Sequence, residues 1–251
     1  MNYTEKCWIE PSTELKYDIQ YDFSKLRVYP KVCIMCYQDE FIELAKNKFN
    51  AKKIETLLGY GYYIFECDNI KIGIIKIGIG APMMALILER LIARRINTIL
   101  NIGIAGSLQY KNIPIGGIVL CTKALRYEGT SKFYVPPSKF VYPNKELNQR
   151  IEKNLKNMHI PYIKGPTVTT DAPYRLSVSK CRELRKQGII TSDMESAAVF
   201  AISQHRKIKS AAIFVISDVA TKDFSWNPGF HDNSLKKGIE LLFEVSVNSL
   251  K

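Results

Sequence analysis

Two acids sit where a carboxylate can do more than face solvent. In the stretch Ile189 to Ile202, IITSDMESAAVFAI, Asp193 and Glu195 flank Met194 at the entry to a run of small and apolar residues that reads as a buried helix. An acid in a first helical turn meets unpaired backbone N–H groups and the positive end of the helix dipole. Glu195 therefore has two readings, a helix cap or an acceptor of ligand hydroxyls aimed into a cleft. A further acid, Asp218, follows the apolar run in AAIFVISDVA. Open α/β sheets bind ligands at the ends of such buried strands, which supports the second reading.

The elements that must position these acids can be taken in order. Lys31 to Met35 reads as a first strand, and CYQDEFIELAKNKF as a helix in which Phe41, Leu44, Ala45 and Phe49 recur at helical spacing. Gln38, Asp39 and Glu40 fall at the junction between the two. Two β-rich runs around Asp68-Asn69 form a hairpin. The segment Gly78 to Pro82 leads into the amphipathic helix MMALILERLIARR, and NTILNIGIAGSL is a strand carrying Gly103 and Gly106, which let a ligand approach the backbone. A strand ending in Arg126 and Glu128, a helix from Asn144, a strand from Tyr162 and a last helix from about Ser234 follow. Alternating strands and helices without repeat or linker predict one α/β domain, a mixed twisted central sheet flanked by helices, over residues 31–251. Residues 1–30 are polar and Tyr-rich and form an N-terminal arm.

Composition narrows the partners. A chain of 251 residues with 46% hydrophobic content can bury one large core. Its net charge of +12 admits nucleic acid or anionic ligands. The Lys and Arg are scattered, however, as in Lys46 to Lys53 and Lys180 to Lys186, with no nucleic-acid motif around them, so they are read as solvated helix faces. The cysteines at 7, 33, 36, 67, 121 and 181 have neither disulfide-framework nor zinc spacing, and Cys33 and Cys36 lie inside an apolar strand. Reduced core thiols are expected. His159, His205 and His231 lack metal spacing, and no metal or cofactor is expected. The start has no apolar leader core and no run reaches membrane length, so a soluble, cytoplasmic protein with no membrane partner is expected.

Five elements then occur together: GIGAP (78–82), NIGIAGSL (101–108), RYEGTS (126–131), TTDAPYR (169–175), and DMESAAVFA (193–201) followed by ISDVA (216–220). In this order they resemble the nucleoside phosphorylase and nucleosidase superfamily, which includes purine nucleoside phosphorylase, uridine phosphorylase and methylthioadenosine/adenosylhomocysteine nucleosidase. EGTS with TTDAPYR is most similar to a phosphorylase-like branch. The resemblance implies a nucleoside substrate, with Met194 beneath the sugar and Glu195 accepting its hydroxyls. It implies that Asp218 protonates or hydrogen-bonds N7 of a leaving purine; uridine phosphorylases lack that acid. Ile104, Ala105 and Gly106 are further substrate contacts. Tyr174 either stacks on the base or packs ordinarily, and Arg175 either faces the ligand or forms a surface ion pair. Arg126 and Glu128 could pair with each other.

The same resemblance exposes a departure. Phosphorylases carry a Gly-Asp-Pro-x-Arg turn after the first strand, where this chain reads Tyr37-Gln38-Asp39-Glu40-Phe41, and an arginine where it has Asn101. A third arginine, donated in that family by a neighbouring subunit, has no clear counterpart, with Lys52 or Lys53 as the candidates to substitute. Nucleosidases have Asn at the position of Asn101 and a water-activating Glu that aligns with Glu40. The expectation is therefore cleavage of the N-glycosidic bond by water, with Glu40 and Asp218 catalytic. The alternatives are a phosphorylase with a non-standard phosphate site, and an inactive nucleoside-binding or storage relative. Partners implied are the nucleoside, water or phosphate, and further copies of the chain in a dimer, trimer or hexamer.

Overall fold

The computed structural model describes residues 3–5, 7–21, 29–109 and 111–251. Helix α1 (Pro11–Tyr21) precedes β1 (Val32–Cys36), which leads into α2 (Asp39–Phe49). A meander of β2 (Lys52–Leu57), β3 (Tyr60–Cys67) and β4 (Ile70–Lys76) follows, then α3 (Ala81–Ala93) and β5 (Thr98–Ser107). Next come β6 (Ile118–Tyr127), β7 (Phe140–Val141), α4 (Lys145–Asn157), β8 (Tyr162–Thr170), α5 (Val178–Lys186) and β9 (Thr191–Asp193). The chain continues through α6 (Ser196–Arg206), β10 (Lys209–Ala220), β11 (Trp226–Pro228) and α7 (Asn233–Ser249). Residues 1, 2, 6 and 22–28 of the expected N-terminal arm lie outside the described residues. The described α1 packs on α3, and Glu14 pairs with Arg90.

The eleven strands of the described residues belong to one mixed sheet. β1, β4, β5 and β10 run parallel, and β3 and β2 extend that edge antiparallel. β6, β8 and β9 form a second parallel group running against the first, because β6 pairs antiparallel with β10 and β9 with β5. Together with the β5–β10 pairing, these contacts close a ring in the order β5, β10, β6, β8, β9. The expected α/β domain with a mixed central sheet is what the chain forms, and the ring is a feature the sequence pattern did not convey. Helices cover both faces: Leu88 and Leu91 of α3 with Phe200 of α6 enter one core, while Phe41 of α2, Leu155 of α4 and Phe243 of α7 enter the other.

Local chemistry explains the joints. Asp68-Asn69 turns β3 into β4 with φ of 51° and 62°, the two left-handed residues that a tight hairpin needs. β2 was not expected as a separate strand; its hairpin turns at Leu58-Gly59, with φ of 49° and 85°, and a left-handed leucine carries no turn signal. Asn144 caps α4 through its side chain, and Asn50 ends α2 in the left-handed conformation.

The connection from β5 to β6 passes through Gly116, at φ +79°, whose N–H donates to Ile216 O at 2.8 Å and so ties the loop to β10. A Cβ there would lie 2.3 Å from Ser234 O at the start of α7. Gly116→Ala should therefore destabilise the fold by about 1–3 kcal/mol through conformational strain and overpacking, lowering the melting temperature by roughly 5 °C. Gly59→Ala, also at positive φ but with nothing within 4 Å, is the control and should lose less; equal losses would show that the clash with α7 is relieved at no cost.

Candidate active site

The acids meet where β8 and β9 end side by side, with Thr169 opposite Asp193 in register. Asp193 is buried, which holds its carboxyl above the ordinary carboxylate value. The cost is offset by donors: Thr169 Oγ at 2.7 Å, Thr167 Oγ at 3.3 Å, and the backbone N–H groups of Ser196 at 2.7 Å and Glu195 at 3.3 Å. Thr169 Oγ in turn accepts from Ala197 N–H at 2.9 Å. Asp193, with Thr169, thus satisfies the first turn of α6. Glu195 occupies the N-cap position yet makes no capping bond, so the cap reading of Glu195 is corrected in favour of its neighbour.

Freed from that duty, Glu195 turns toward the start of α3. Its Oε1 accepts from Gly80 N–H at 2.6 Å, and its Oε2 accepts from Met194 N–H at 3.3 Å. Gly80 reaches this position with φ +110°, a conformation open to glycine. Burial, and then the charge of Asp193, push the Glu195 carboxyl up to about 8. Met194 is half-buried beside it. Behind them Tyr37 donates from its hydroxyl to Asn101 Oδ1 at 2.7 Å, and Asn101 Nδ2 donates to Ser196 Oγ at 3.4 Å. Burial, followed by the charges of Glu195 and Asp193, raises the Tyr37 hydroxyl well above its usual range, so it stays a neutral donor. Tyr37 lies against Gly103, and the Gln38 side-chain oxygen is buried near the same glycine without a hydrogen-bond partner among the described residues.

Asp218 stands at the end of β10 opposite Gly106, where a bulge after Ile216 re-aims the strand. A Cβ on Gly106 would lie 2.9 Å from Asp218 Oδ2, so the glycine makes room for the acid. Ser217 Oγ donates to Asp218 Oδ1 at 2.6 Å, and the Trp226 indole N–H donates to Oδ2 at 2.9 Å. Ile104 is half-buried and Ala105 buried on the strand leading to Gly106. Glu195, Met194, Asp218 and Ile104 to Gly106 are thus grouped at neighbouring ends of β9, β10 and β5.

Other expected residues fall elsewhere. Glu40 is exposed in the first turn of α2, whose buried face is Phe41, Ile42 and Ala45; the residue of that junction that reaches inward is Gln38. Tyr174 is fully exposed, so within this chain it neither stacks nor packs, and Arg175 is exposed with no ion pair among the described residues. Arg126 and Glu128 do not pair with each other. Arg126 donates to Ser131 Oγ at 2.8 Å and Pro136 O at 2.7 Å, and Glu128 accepts from Ser131 N–H at 2.9 Å, so both shape the loop after β6. Asp171 ties that loop to the end of β8 through Gly129 N–H at 2.8 Å. Lys52 and Lys53 are exposed on β2. Gln38, Gly80 and Trp226 were not singled out as site residues from sequence; Gly80 lay within GIGAP and Gln38 within the stretch that aligns with the phosphorylase turn, whereas Trp226 lay in neither. Among the described residues no three His, Cys, Asp or Glu side chains gather as a metal site, and no described helix is long and apolar enough to cross a membrane.

The elevated Glu195 carboxyl has a stability consequence. Between about 4.5, its ordinary value, and about 8, the folded chain keeps a proton that the unfolded chain has lost. Stability contributed by this group is therefore complete below that window, falls as pH rises through it, and levels off above it. Glu195→Gln should show a smaller drop in melting temperature between pH 5 and 8.5 than the parent chain; parallel curves would mean that Glu195 ionises normally in the folded state.

Comparison with known proteins identifies the family and the fold. The sequence model of the phosphorylase superfamily matches residues 31–249. Purine nucleoside phosphorylase of Plasmodium vivax (strain Salvador I) is 23% identical over 222 residues, covering 87% of this chain and 84% of the relative. Uridine phosphorylase of Treponema pallidum (strain Nichols) is 26% identical over 187 residues, covering 69% of this chain and 71% of the relative. The crystal structure of purine nucleoside phosphorylase from Toxoplasma gondii, in complex with immucillin-H, superposes with a TM-score of 0.81 at 20% identity, over 90% of this chain and 93% of that one, and so shares the fold. The motif resemblance is borne out: the chain belongs to the phosphorylase superfamily.

Proposed function

We propose that this enzyme cleaves the N-glycosidic bond of a purine nucleoside with phosphate as the nucleophile. The observation that carries the proposal is the placement of Glu195 and Asp218 at neighbouring strand ends, one on the Gly80 N–H and the other over Gly106. In this reading Met194 lies beneath the sugar and Glu195 takes its hydroxyls, a task suited to a carboxyl that keeps lone pairs free after its backbone bonds. Asp218 passes a proton to N7 as the C–N electron pair departs with the base, and the positive charge developing on the sugar is met by phosphate on the opposite face. The printed names of the relatives, purine nucleoside phosphorylase and uridine phosphorylase, support phosphorolysis. The acid at position 218 supports the purine type, because a purine anion is a poor leaving group without a proton. Exposure of Tyr174 and Arg175, on the segment that follows Asp171, supports an assembly in which another copy covers them.

The expectation of hydrolysis loses its main support, because the base assigned to activate water, Glu40, is exposed and outside the grouped residues. One observation still favours water: the two positions at which relatives place phosphate-binding arginines hold fully buried Phe41 and buried Asn101, the latter bonded to Tyr37. Base release from inosine and guanosine, measured with and without phosphate, separates the two. The expected result is a requirement for phosphate with ribose 1-phosphate as product; free ribose released in phosphate-free buffer would establish hydrolysis instead. Asp218→Asn should lose about 10²-fold or more in turnover of purine nucleosides, since the amide cannot deliver a proton. Glu195→Gln should weaken both KM and kcat, whereas Glu40→Gln should leave both within about twofold, as is usual for an exposed helix position. A large loss in Glu40→Gln would restore that residue to the site.

A further inference from the structure

Asp218 is gripped by a side chain from β11, and that grip is built with more care than packing alone requires. β11 returns along β10 with Asp218 opposite Pro228, Val219 opposite Asn227 and Ala220 opposite Trp226. The turn between them is fastened from within: Thr221 N–H donates to Ser225 O at 3.0 Å, and Ser225 Oγ donates to Asp223 at 2.9 Å. It is also fastened from outside. The Arg185 guanidinium lies 3.8 Å from the centre of the Phe224 ring and donates to Ala220 O at 2.9 Å and Thr221 O at 3.0 Å. Yet Trp226 itself is 65% exposed, its ring centre 6.1 Å from that of Phe230. An indole left mostly in water gains little from burial. What the hairpin fixes is its N–H, 2.9 Å from Asp218 Oδ2.

We propose that Trp226 is a positioning residue for the proposed general acid: its indole N–H stabilises the charge left on Asp218 as the proton passes to the base. In that step the C–N bond breaks with its electron pair going to the base, the Asp218 proton goes to N7, and the nucleophile bonds to the anomeric carbon. Asp218 is left as a carboxylate and regains its proton from solvent. Indole is a donor only, and a carboxylate oxygen is a far better acceptor than the oxygen of a neutral carboxyl. The bond therefore strengthens as the proton leaves. An interaction stronger in the transition state than in the ground state appears in kcat and not in KM. Ser217 Oγ, on the other carboxylate oxygen, holds the plane of the group while this happens.

The inference rests on the assignment of Asp218 as the acid, and the test separates the two. Trp226→Phe removes the N–H and keeps an aromatic ring. With inosine, kcat should fall about tenfold while KM stays within about twofold, in line with a hydrogen bond to a charged group. With 7-methylguanosine, whose base already carries a substituent on N7 and departs neutral without a proton, the variant and the parent enzyme should turn over alike. In an Asp218→Asn background, Trp226→Phe should cost nothing further, because the two residues act as one unit. Equal losses on both nucleosides, or an additive loss on top of Asp218→Asn, would reduce Trp226 to a structural member of the hairpin and overturn the proposal. So would an unchanged kcat on inosine. If Asp218→Asn is itself harmless on inosine, the acid assignment fails first, and the proposal with it.

Discussion

A carboxylate removed from water must be solvated by the protein, and the arrangement at the strand ends follows from how Asp193 meets that demand. Two threonines of β8 and two backbone N–H groups at the start of α6 converge on it. These bonds fix where β9 ends and at what angle α6 begins. They also settle a competition. With Asp193 satisfying the helix start, Glu195 is released to reach Gly80 at the start of α3, and the charge of Asp193 adds to burial in raising the Glu195 carboxyl. One buried acid thus leaves a second free to reach α3 and adds to the effect of burial on its carboxyl.

That division of labour was only half legible in the sequence. Both acids could be placed in the first turn of a buried helix from IITSDMESAAVFAI, and Asp218 at the end of a core strand from AAIFVISDVA. Which acid caps depends on one residue's backbone angles, φ −138° and ψ −34° at Glu195, which composition does not reveal. Elements with a strong period were readable: α2 from Phe41, Ala45 and Phe49, and the β3–β4 turn from Asp68-Asn69. β9 is three residues long and exists because β8 and β5 pair with it on either side. A strand defined by non-local pairing leaves no periodic mark, so the ring it closes was invisible as well. The same reasoning accounts for Trp226, eight residues beyond Asp218, which meets it only once a hairpin has folded. Glu40 is a different matter. The helical period that buries Phe41 and Ala45 puts residue 40 on the outer side of α2, and the motif alignment outweighed a geometric signal that was already present.

The bulge in β10 and the glycines opposite it express a second constraint. Strand ends that carry acids must also leave room for a ligand, and side chains compete for that space. Gly106 yields its volume to Asp218, and Gly103 yields its own to Tyr37. A Cβ at either position would crowd Asp218 or Tyr37, so the role of these glycines is steric and local.

The proposed phosphorolysis poses an electrostatic question, because no arginine occupies position 41 or 101. A phosphate dianion entering beside two ionised carboxylates would meet repulsion that grows as water is excluded. Burial, and then the charge of Asp193, push the Glu195 carboxyl up to about 8, which favours its neutral form and lessens that repulsion, and four donors converge on Asp193. Tyr37, kept un-ionised by the same buried acids, adds a neutral hydroxyl and no further negative charge. A raised Glu195 carboxyl is therefore easier to reconcile with the proposed phosphate nucleophile than an ionised one.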